Sequence, residues 1–193
     1  MKQVFCVGDS IRWGYEPTVV KELAGWAQVT EMGETQGGDT RNVLAHLDEW
    51  VLSKSYDIVH FNAGLHDMIR EVGPGPTPRI LVAEYRENLQ KIFAQVRDRT
   101  KAKLIFGLTT PVNLSRQLEV KYPCNRINED VLLYNRAAVE VAKEYGVAID
   151  DLYSLVINTG MDRMHDSDGV HFLPEGSAIL GKQVAAAIRA TGA

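Results

Sequence analysis

The stretch Val4-Phe5-Cys6-Val7-Gly8-Asp9-Ser10 decides how the fold of this chain is predicted. Its four consecutive apolar residues are typical of a strand that is buried on both faces of a parallel sheet. We therefore predict a first strand over residues 3–8, with Ser10 just beyond its carboxyl end. Because ligands of such sheets bind beyond the carboxyl ends of the strands, Ser10 is a candidate functional residue.

Strands and helices alternate along the rest of the chain. Further strands are predicted over residues 27–31, 57–62, 103–108 and 146–150. Helical spacing of apolar residues predicts the intervening helices, one near 18–23 and one opened by Gly37-Gly38-Asp39-Thr40 with Asp39 or Thr40 as N-cap. A Gly/Pro-rich loop at 73–78 precedes a long predicted helix whose apolar face runs from Leu81 to Val96. A loop follows the fourth strand, then a helix with apolar residues from Ile127 to Ala142, and a last helix starts at Pro174. Strands separated by such helices form right-handed βαβ units. The predicted fold class is α/β, a three-layer α/β/α sandwich around a parallel sheet of about five strands, in one domain over residues 1–193.

Composition excludes several classes of protein. The net charge is −4 without a basic block, which argues against a nucleic-acid partner. No apolar run approaches the ~18 residues of a membrane span, and the first apolar run is too short for the core of a signal peptide. Cys6 and Cys124 show neither metal-ligand spacing nor a disulfide framework, and Cys6 is expected in the core. We expect a soluble, cytoplasmic protein that binds no membrane.

A second informative stretch, Asp168-Gly169-Val170-His171, lies far downstream, just before the last predicted helix. A serine hydrolase needs a hydroxyl, an imidazole to take its proton and a carboxylate to hold the imidazole. The i, i+3 spacing allows one turn to supply Asp168 and His171, and folding would bring Ser10 to them. Each stretch alone is also typical of a surface loop, and His171 alone would be interpreted as a surface histidine. Their joint placement favours a catalytic interpretation.

Attack on a carbonyl also requires hydrogen-bond donors for the oxyanion. Gly38 is suited to this, because no side chain blocks its backbone N–H and a predicted helix follows it. The alternative is a turn glycine. His66, after the third strand, could add a side-chain N–H or could pack locally in its loop. Asp67 is expected to cap the following turn or to brace the loop rather than to contact substrate.

The remaining histidines are given structural interpretations. His60 lies inside the third strand and is expected to be a buried, hydrogen-bonded core residue, and His46 an edge residue of its helix. His165 is expected in an exposed loop, with contact to substrate as the alternative. A metal site built from His60, His66 and Asp67 is not favoured, because no HxH or HExxH pattern is present. No GxGxxG or P-loop supports a nucleotide. We therefore expect no metal and no cofactor.

Four short blocks occur in order along nearly the whole chain. Together they resemble the four blocks of the SGNH (GDSL-like) hydrolases, esterases named for Ser, Gly, Asn and His. The blocks are Gly8-Asp9-Ser10-Ile11, Gly38-Asp39-Thr40, Gly64-Leu65-His66-Asp67 and Asp168-Gly169-Val170-His171. The resemblance implies a flavodoxin-like sandwich, in agreement with the alternation of strands and helices.

The resemblance also implies a role for each matching residue. Ser10 would be the nucleophile, with its own backbone N–H and that of Gly38 in the oxyanion hole, His171 the base and Asp168 its partner. The third block departs from the family, since His66 stands where the family has asparagine. A neutral imidazole can donate one N–H to the oxyanion, but it adds a titration that asparagine lacks.

Specificity is expected from three segments beyond the strand ends: residues 12–16, 68–79 and 113–128. Trp13 and Tyr15 could form an aromatic wall or could be packing residues. The loops also carry four arginines, Arg70, Arg79, Arg116 and Arg126. No long apolar groove is evident, which favours a small-molecule ester with a short acyl group, such as an O-acetylated carbohydrate.

Other functions stay open at this point. Within catalysis, the alternatives are a thioesterase or lysophospholipase-type acyl hydrolase and an acyl transferase that uses an alcohol as acceptor. Outside catalysis, a carbohydrate- or metabolite-binding module could keep the same pocket, although such a module has no need for Ser10, Asp168 and His171 together. The oligomeric state is not predicted.

Overall fold

The computed structural model of the protein describes residues 1–33, 37–71, 77–121 and 124–192. Within these ranges the chain forms seven strands, two of them very short. They are β1 Lys2–Val7, β2 Ala27–Thr30, β3 Ile58–Phe61, β4 Arg70–Glu71, β5 Lys103–Gly107, β6 Cys124–Asn125 and β7 Ala148–Asp150.

Helices connect and cover the strands. They are α1 Ser10–Leu23, α2 Thr40–Leu47, α3 Val82–Arg99, α4 Leu114–Glu119, α5 Asn128–Tyr145, α6 Leu152–Thr159, α7 Met161–Met164 and α8 Pro174–Gly192. Helix α2 continues into one π-helical turn, Asp48–Leu52. None of the helices in the described ranges is long and apolar enough to cross a membrane.

Five strands form the central sheet in the order β2-β1-β3-β5-β7, and every neighbouring pair is parallel. Counted within this sheet, the order is that of flavodoxin-like folds, which confirms the predicted fold class. The strand order reverses at β1, so the loops after β1 and β3 leave the sheet side by side. Ligands of this fold bind at that reversal point. The short strands β4 and β6 pair separately as an antiparallel ribbon.

Helices α1 and α8 pack on one face of the sheet, and α3 and α5 cover the other with α2 beside α3. The sheet core is apolar, as the sequence pattern predicts. Val4, Cys6 and Val7 of β1 are buried between the two layers, and Tyr85 and Phe93 of α3 pack from one side. The prediction that Cys6 is a core residue is confirmed.

The structure corrects several element boundaries. Helix α1 begins at Ser10 rather than near residue 18, because Asp9 caps it and the helix accommodates Pro17 in its interior. Leu81, predicted on the apolar face of α3, precedes that helix and is 57% exposed. The loop predicted after β5 contains α4, and α6 and α7 occupy the segment between β7 and α8. Most of the predicted Gly/Pro-rich loop at 73–78 lies outside the described residues.

Candidate active site

Ser10, His171 and Asp168 meet at the carboxyl edge of the sheet. The Ser10 Oγ lies 2.8 Å from the His171 Nε2. On the opposite side of the ring, the His171 Nδ1 lies 2.5 Å from the Asp168 Oδ2. A carboxylate on Nδ1 favours the tautomer in which Nδ1 carries the proton, so Nε2 can accept the proton of the Ser10 hydroxyl.

The turn before α8 holds the carboxylate in place. The Asp168 Oδ1 accepts hydrogen bonds from the backbone N–H groups of Val170, at 2.8 Å, and His171, at 2.9 Å. Burial alone would raise the pKa of Asp168, but the hydrogen bond from His171 and the two backbone N–H groups outweigh it and lower that pKa below its ordinary value. Asp168 is therefore a carboxylate at neutral pH, the form that stabilises an imidazolium.

Helix α1 positions Ser10. The buried Asp9 side chain accepts a hydrogen bond from the backbone N–H of Ile11 at 2.9 Å, so Asp9 is the N-cap and Ser10 the first helical residue. The first N–H groups of a helix have no acceptor within the helix and lie at the positive end of its dipole. The backbone N–H of Ser10 is therefore placed to meet a negative charge that forms beside its own side chain.

Gly38 lies on the loop that is anchored to the strand end before Ser10. The backbone N–H of Gly37 donates to the Gly8 carbonyl at 2.8 Å. Gly38 has φ +65°, a left-handed conformation that favours glycine. Asp39 then caps α2 through the backbone N–H of Asn42 at 3.0 Å, as one of the two predicted caps. The backbone N–H of Gly38 is thus held next to the first strand end and before a helix N-terminus.

The turn Gly64–Asp67 follows β3 and carries His66. It is closed by a hydrogen bond from the backbone N–H of Met68 to the Gly64 carbonyl at 2.9 Å. Gly64 has φ +150°, and a Cβ there would lie only 2.3 Å from the Thr109 Oγ1, so the turn can approach the end of β5 only without a side chain. The Arg126 Nε donates to the Leu65 carbonyl at 2.7 Å. The backbone on the amino-terminal side of His66 is therefore fixed.

His66 is half-buried beside charged residues of both neighbouring blocks. Burial lowers the pKa of His66 below its ordinary value, and the cations of Arg126 and Arg79 act in the same direction. The carboxylates of Asp9 and Asp39 oppose the decrease in this pKa. At neutral pH the ring is therefore neutral, with one N–H to donate. Asp9 precedes Ser10 and Asp39 follows Gly38, so the charges of both blocks act on the His66 ring.

A cleft of about 350 Å³ opens beside Ser10 and His171 and is mainly apolar. Its lining residues are Ser10, Ile11, Trp13, Gly14, His171, Phe172 and Ser177. Trp13 is 49% exposed at this cleft. Phe172 is stacked on His165 with a centroid separation of 4.7 Å, which fixes the wall that follows His171. The cleft therefore offers an aromatic surface next to the imidazole.

Part of the predicted specificity segment at 12–16 is wrong. Arg12, Tyr15 and Glu16 are buried, because α1 starts earlier than predicted and turns these side chains toward the core and the loop after β2. Only Trp13 and Gly14 of this segment border the cleft. The expectation that His165 lies exposed in its loop is also wrong: the ring is buried, and its Nε2 lies 3.0 Å from the Pro111 carbonyl.

The loop arginines hold the protein's own structure together. Arg70 forms a bidentate ion pair with Asp130. Arg116 contacts the Asp162 carboxylate and the His165 and Asp166 carbonyls. Arg126 is buried against the Leu65 carbonyl, and the Arg79 Nη1 lies 4.0 Å from the Asp39 Oδ2.

His60 is a buried core histidine, as predicted. Its Nε2 lies 3.0 Å from the Asp150 Oδ2, and its Nδ1 lies 3.4 Å from the Tyr15 hydroxyl. Both ring nitrogens of His60 thus face partners in the core. Among the residues that the structure describes, no group of three His, Cys, Asp or Glu side chains could hold a metal ion. His46 stacks on Trp50 at the half-buried edge of its helix, also as predicted.

Asp67 braces its loop, as predicted, but Thr40 and Asn88 were not predicted to take part in this support. Asp67 braces its loop by accepting hydrogen bonds from Thr40, the first residue of α2, and Asn88 donates to the Thr40 Oγ1 at 3.0 Å. For Asn88, the sequence does indicate a buried hydrogen-bonding role. It lies three residues after Tyr85 on the apolar face of α3, where a polar side chain needs a buried partner.

The flavodoxin-like sheet and the hydroxyl, imidazole and carboxylate at its reversal point define the class of protein as an SGNH-type hydrolase. The model of the GDSL-like lipase/acylhydrolase family matches residues 6–179, and the chain belongs to this family. This family is one of GDSL-like lipases and acylhydrolases, enzymes of the carboxylic ester hydrolase class.

Individual relatives agree with this assignment. The GDSL esterase/lipase WDL1 of Oryza sativa subsp. japonica is 27% identical over 164 residues, which are 77% of this chain and 60% of that protein. The chain thus spans less than two thirds of that relative's length.

Solved structures share the fold at low sequence identity. A lipase/acylhydrolase from Enterococcus faecalis superposes with a TM-score of 0.81 at 24% identity, covering 98% of this chain and 96% of that chain. Axe2, an acetylxylan esterase from Geobacillus stearothermophilus, gives a TM-score of 0.79 at 20% identity, covering 97% and 94% of the two chains.

Proposed function

We propose that the protein is a serine esterase that hydrolyses short-chain acyl esters, in particular acetyl esters of carbohydrates, with Ser10 as the nucleophile. The observation that carries the proposal is the hydrogen-bonded line from the Ser10 Oγ through the His171 ring to Asp168, with distances of 2.8 Å and 2.5 Å. Such a line supplies the base that a serine needs to act near neutral pH.

The reaction proceeds through an acyl-enzyme. The Ser10 Oγ attacks the ester carbonyl carbon while His171 takes the hydroxyl proton, and Asp168 stabilises the imidazolium. The tetrahedral intermediate then expels the alcohol, whose oxygen receives the proton from His171. Water, deprotonated by His171, attacks the acyl-enzyme, and collapse of the second intermediate releases the acid and restores the Ser10 hydroxyl.

Three donors are proposed to stabilise the oxyanion: the backbone N–H groups of Ser10 and Gly38, and the side-chain N–H of His66. Each such donor is worth roughly 3–4 kcal/mol in the transition state. The N-terminal position of Ser10 in α1 and the place of Gly38 before α2 support the first two. The half-buried, neutral His66, whose ring is influenced by the charges of Asp9 and Asp39, supports the third.

The cleft supports the choice of substrate. Because His171 must protonate the leaving oxygen, the cleft wall beside it faces the alcohol part of the ester. Trp13 and Phe172 line that wall, and an exposed aromatic ring can stack on the apolar face of a sugar. The structural likeness to an acetylxylan esterase agrees with this choice.

The experiment compares wild type and Ser10→Ala on p-nitrophenyl acetate, butyrate and octanoate, and on an acetylated xylooligosaccharide. We expect wild-type turnover that falls with acyl length, and loss of about 10³-fold or more in Ser10→Ala. Trp13→Ala should raise KM for the acetylated sugar more than for p-nitrophenyl acetate.

Other outcomes would redirect the assignment. Preference for octanoate would favour a lipase-type acyl hydrolase, and faster cleavage of acetyl thioesters than of oxygen esters would favour a thioesterase. Wild-type rates equal to those of Ser10→Ala on every ester, together with binding of xylooligosaccharides, would favour a non-catalytic carbohydrate-binding module.

A further inference from the structure

We propose that Asp67 is a positioning residue that holds the donors Gly38 and His66 in fixed positions relative to each other. The inference rests on the proposed function, because it assigns to Asp67 a role in the oxyanion hole of that same site. Asp67 follows His66 in the chain, and its carboxylate is fastened to the first residue of the helix that follows Gly38. Gly38 and His66 lie far apart in the sequence, and the hydrogen bonds between Asp67 and Thr40 join the two segments that carry them.

The fastening consists of three contacts between two side chains and a backbone group. The Asp67 Oδ1 accepts the Thr40 hydroxyl at 2.5 Å and the Thr40 backbone N–H at 3.1 Å. The same N–H lies 3.3 Å from the Asp67 Oδ2. The carboxylate therefore binds both the side chain and the backbone of Thr40. This fixes the orientation of the first residue of α2 and its distance from Asp67.

Burial makes the fastening rigid. Asp67 and Thr40 are both fully shielded from solvent, and Asn88 adds a donor to the Thr40 Oγ1 at 3.0 Å from helix α3. The Asp67 backbone is held too, because its carbonyl accepts the backbone N–H of Ile80 at 2.9 Å. A buried polar group that loses its partner costs free energy, so these groups have no favourable alternative to the observed arrangement.

The two ends of the fastening lie next to the proposed donors. Thr40 is two residues after Gly38, with the N-cap Asp39 between them. Asp67 is bonded directly to His66, whose other side is held by the Arg126 contact to Leu65. Removing the carboxylate would leave the α2 loop and the His66 turn free to shift relative to each other. A shift of about 1 Å in catalytic geometry can cost 10²-fold in rate.

An alternative role for Asp67 is structural support alone. In that case its loss would lower the fraction of folded enzyme, but each folded molecule would bind and react normally. The two roles differ in the affinity for an oxyanion mimic. Phenylboronic acid adds to a reactive serine as a tetrahedral anion, so its inhibition constant reports the quality of the oxyanion hole per folded molecule.

The experiment measures kcat and KM on p-nitrophenyl acetate and the inhibition constant of phenylboronic acid for wild type, Asp67→Ala, Asp67→Asn and Thr40→Val. Asparagine can keep its oxygen at the Oδ1 position and so retain both Thr40 contacts there. The matched control is Thr100→Val. Thr100 also forms two backbone hydrogen bonds with its hydroxyl, but it lies before β5, at the opposite edge of the sheet.

We expect Asp67→Ala to lower kcat by 10- to 10²-fold with little change in KM, and to raise the inhibition constant of phenylboronic acid by a similar factor. For Asp67→Asn, kcat and the inhibition constant should stay within about 3-fold of wild type. Both values for Thr40→Val should lie between those of Asp67→Asn and Asp67→Ala. Thr100→Val should match wild type in both. An unchanged kcat in Asp67→Ala, or a lower kcat with an unchanged inhibition constant, would overturn the proposal. A wild type no more active than Ser10→Ala would instead overturn the proposed function, which separates the two failures.

Discussion

The Arg12 guanidinium and the Glu16 carboxylate form an ion pair of 2.7 Å, with side chains that are 0% and 2% exposed. The pair also holds the segment after β2. The Arg12 Nη1 donates to the Gly33 carbonyl at 2.9 Å, and the Glu16 Oε1 accepts the backbone N–H of Met32 at 3.3 Å. Burial raises the pKa of Glu16, and the charge of Arg12 opposes that increase. Two charged side chains within the nucleophile's own helix thus hold the segment at Met32 and Gly33 in place.

Breaking this pair on one side should destabilise the protein. Arg12→Met leaves the Glu16 carboxylate buried without its cation, which costs about 3–5 kcal/mol. Replacing both residues, as Arg12→Met with Glu16→Leu, should recover a large part of that loss, since no charge stays buried. Urea denaturation of the two single variants, the double variant and wild type measures the effect as a double-mutant cycle. A single variant no less stable than the double variant would contradict this account.

His66 is expected to act as an oxyanion donor that asparagine can replace. His66→Asn should retain much of the wild-type kcat, because an amide N–H can occupy the same place, whereas His66→Ala should lose about 10²-fold or more. The measurement is kcat on p-nitrophenyl acetate at pH 8, where the ring is neutral. Equal and negligible losses in the two variants would rule out a donor role for this side chain.

His66 should also make kcat depend on pH. Burial lowers the pKa of His66 below its ordinary value, so the ring becomes an imidazolium only on the acid side of that value. A cation donates a stronger hydrogen bond to an oxyanion than a neutral ring does. The ratio of wild-type to His66→Asn kcat should therefore rise as the pH is lowered into the acid range where His66 becomes protonated. All other residues are the same in the two proteins, so a flat ratio would contradict the prediction.

Asp168→Asn should lower kcat by about 10³- to 10⁴-fold at pH 7. The amide can present an N–H to the His171 Nδ1, which favours the tautomer that carries its proton on Nε2, and that tautomer cannot accept the Ser10 proton. KM on p-nitrophenyl acetate should change little. Asp166→Asn, two residues earlier in the same loop, serves as the control and should keep wild-type kcat. If Asp168→Asn behaved like this control, the carboxylate would have no part in the reaction.

Asp67 should make the stability of the protein depend on pH. Burial, partly offset by the hydrogen bonds from Thr40, raises the pKa of Asp67 from 3.8 to about 7. A raised folded-state pKa means that the folded protein binds the proton more tightly than the unfolded chain. The resulting stability is present below pH ~4 and is lost as the pH rises through ~7.

Asp67→Asn lacks this ionisation and provides the reference. The free energy of unfolding of wild type, minus that of Asp67→Asn, should fall by up to about 4 kcal/mol between pH 4 and pH 8. Urea denaturation at each pH measures the difference, and other titrating groups cancel between the two proteins. A difference that rises with pH would show that the carboxylate is instead stabilised as an anion.

The sequence predicted the fold well because its signals are local and repeated. Apolar runs such as the one before Gly8 mark buried strands, and the residues that follow them share one edge of a parallel sheet. The prediction that Ser10 approaches Asp168 and His171 used the same reasoning, and the structure brings these side chains together. Their catalytic roles stay a prediction, as does the cytoplasmic location.

What the sequence could not reveal depends on which partner buries a polar side chain. Arg12 and Glu16 have the composition of a solvated helix face, and only the packing of α1 against the loop after β2 shows that they are buried. His165 looks like an exposed loop residue until its contact with the Pro111 carbonyl is known. The Asp67–Thr40 contact joins residues 27 positions apart, which no local pattern encodes.

The central claim, that Ser10 is an activated nucleophile, is tested most directly by covalent labelling. Wild type, Ser10→Ala and His171→Ala are treated with diisopropyl fluorophosphate at pH 8, and the intact mass and the peptide that contains residue 10 are measured by mass spectrometry. We predict one phosphoryl adduct on Ser10 in wild type, none on that peptide in Ser10→Ala, and labelling slowed by orders of magnitude in His171→Ala. No adduct in wild type, or an adduct on another residue that survives Ser10→Ala, would contradict the assignment.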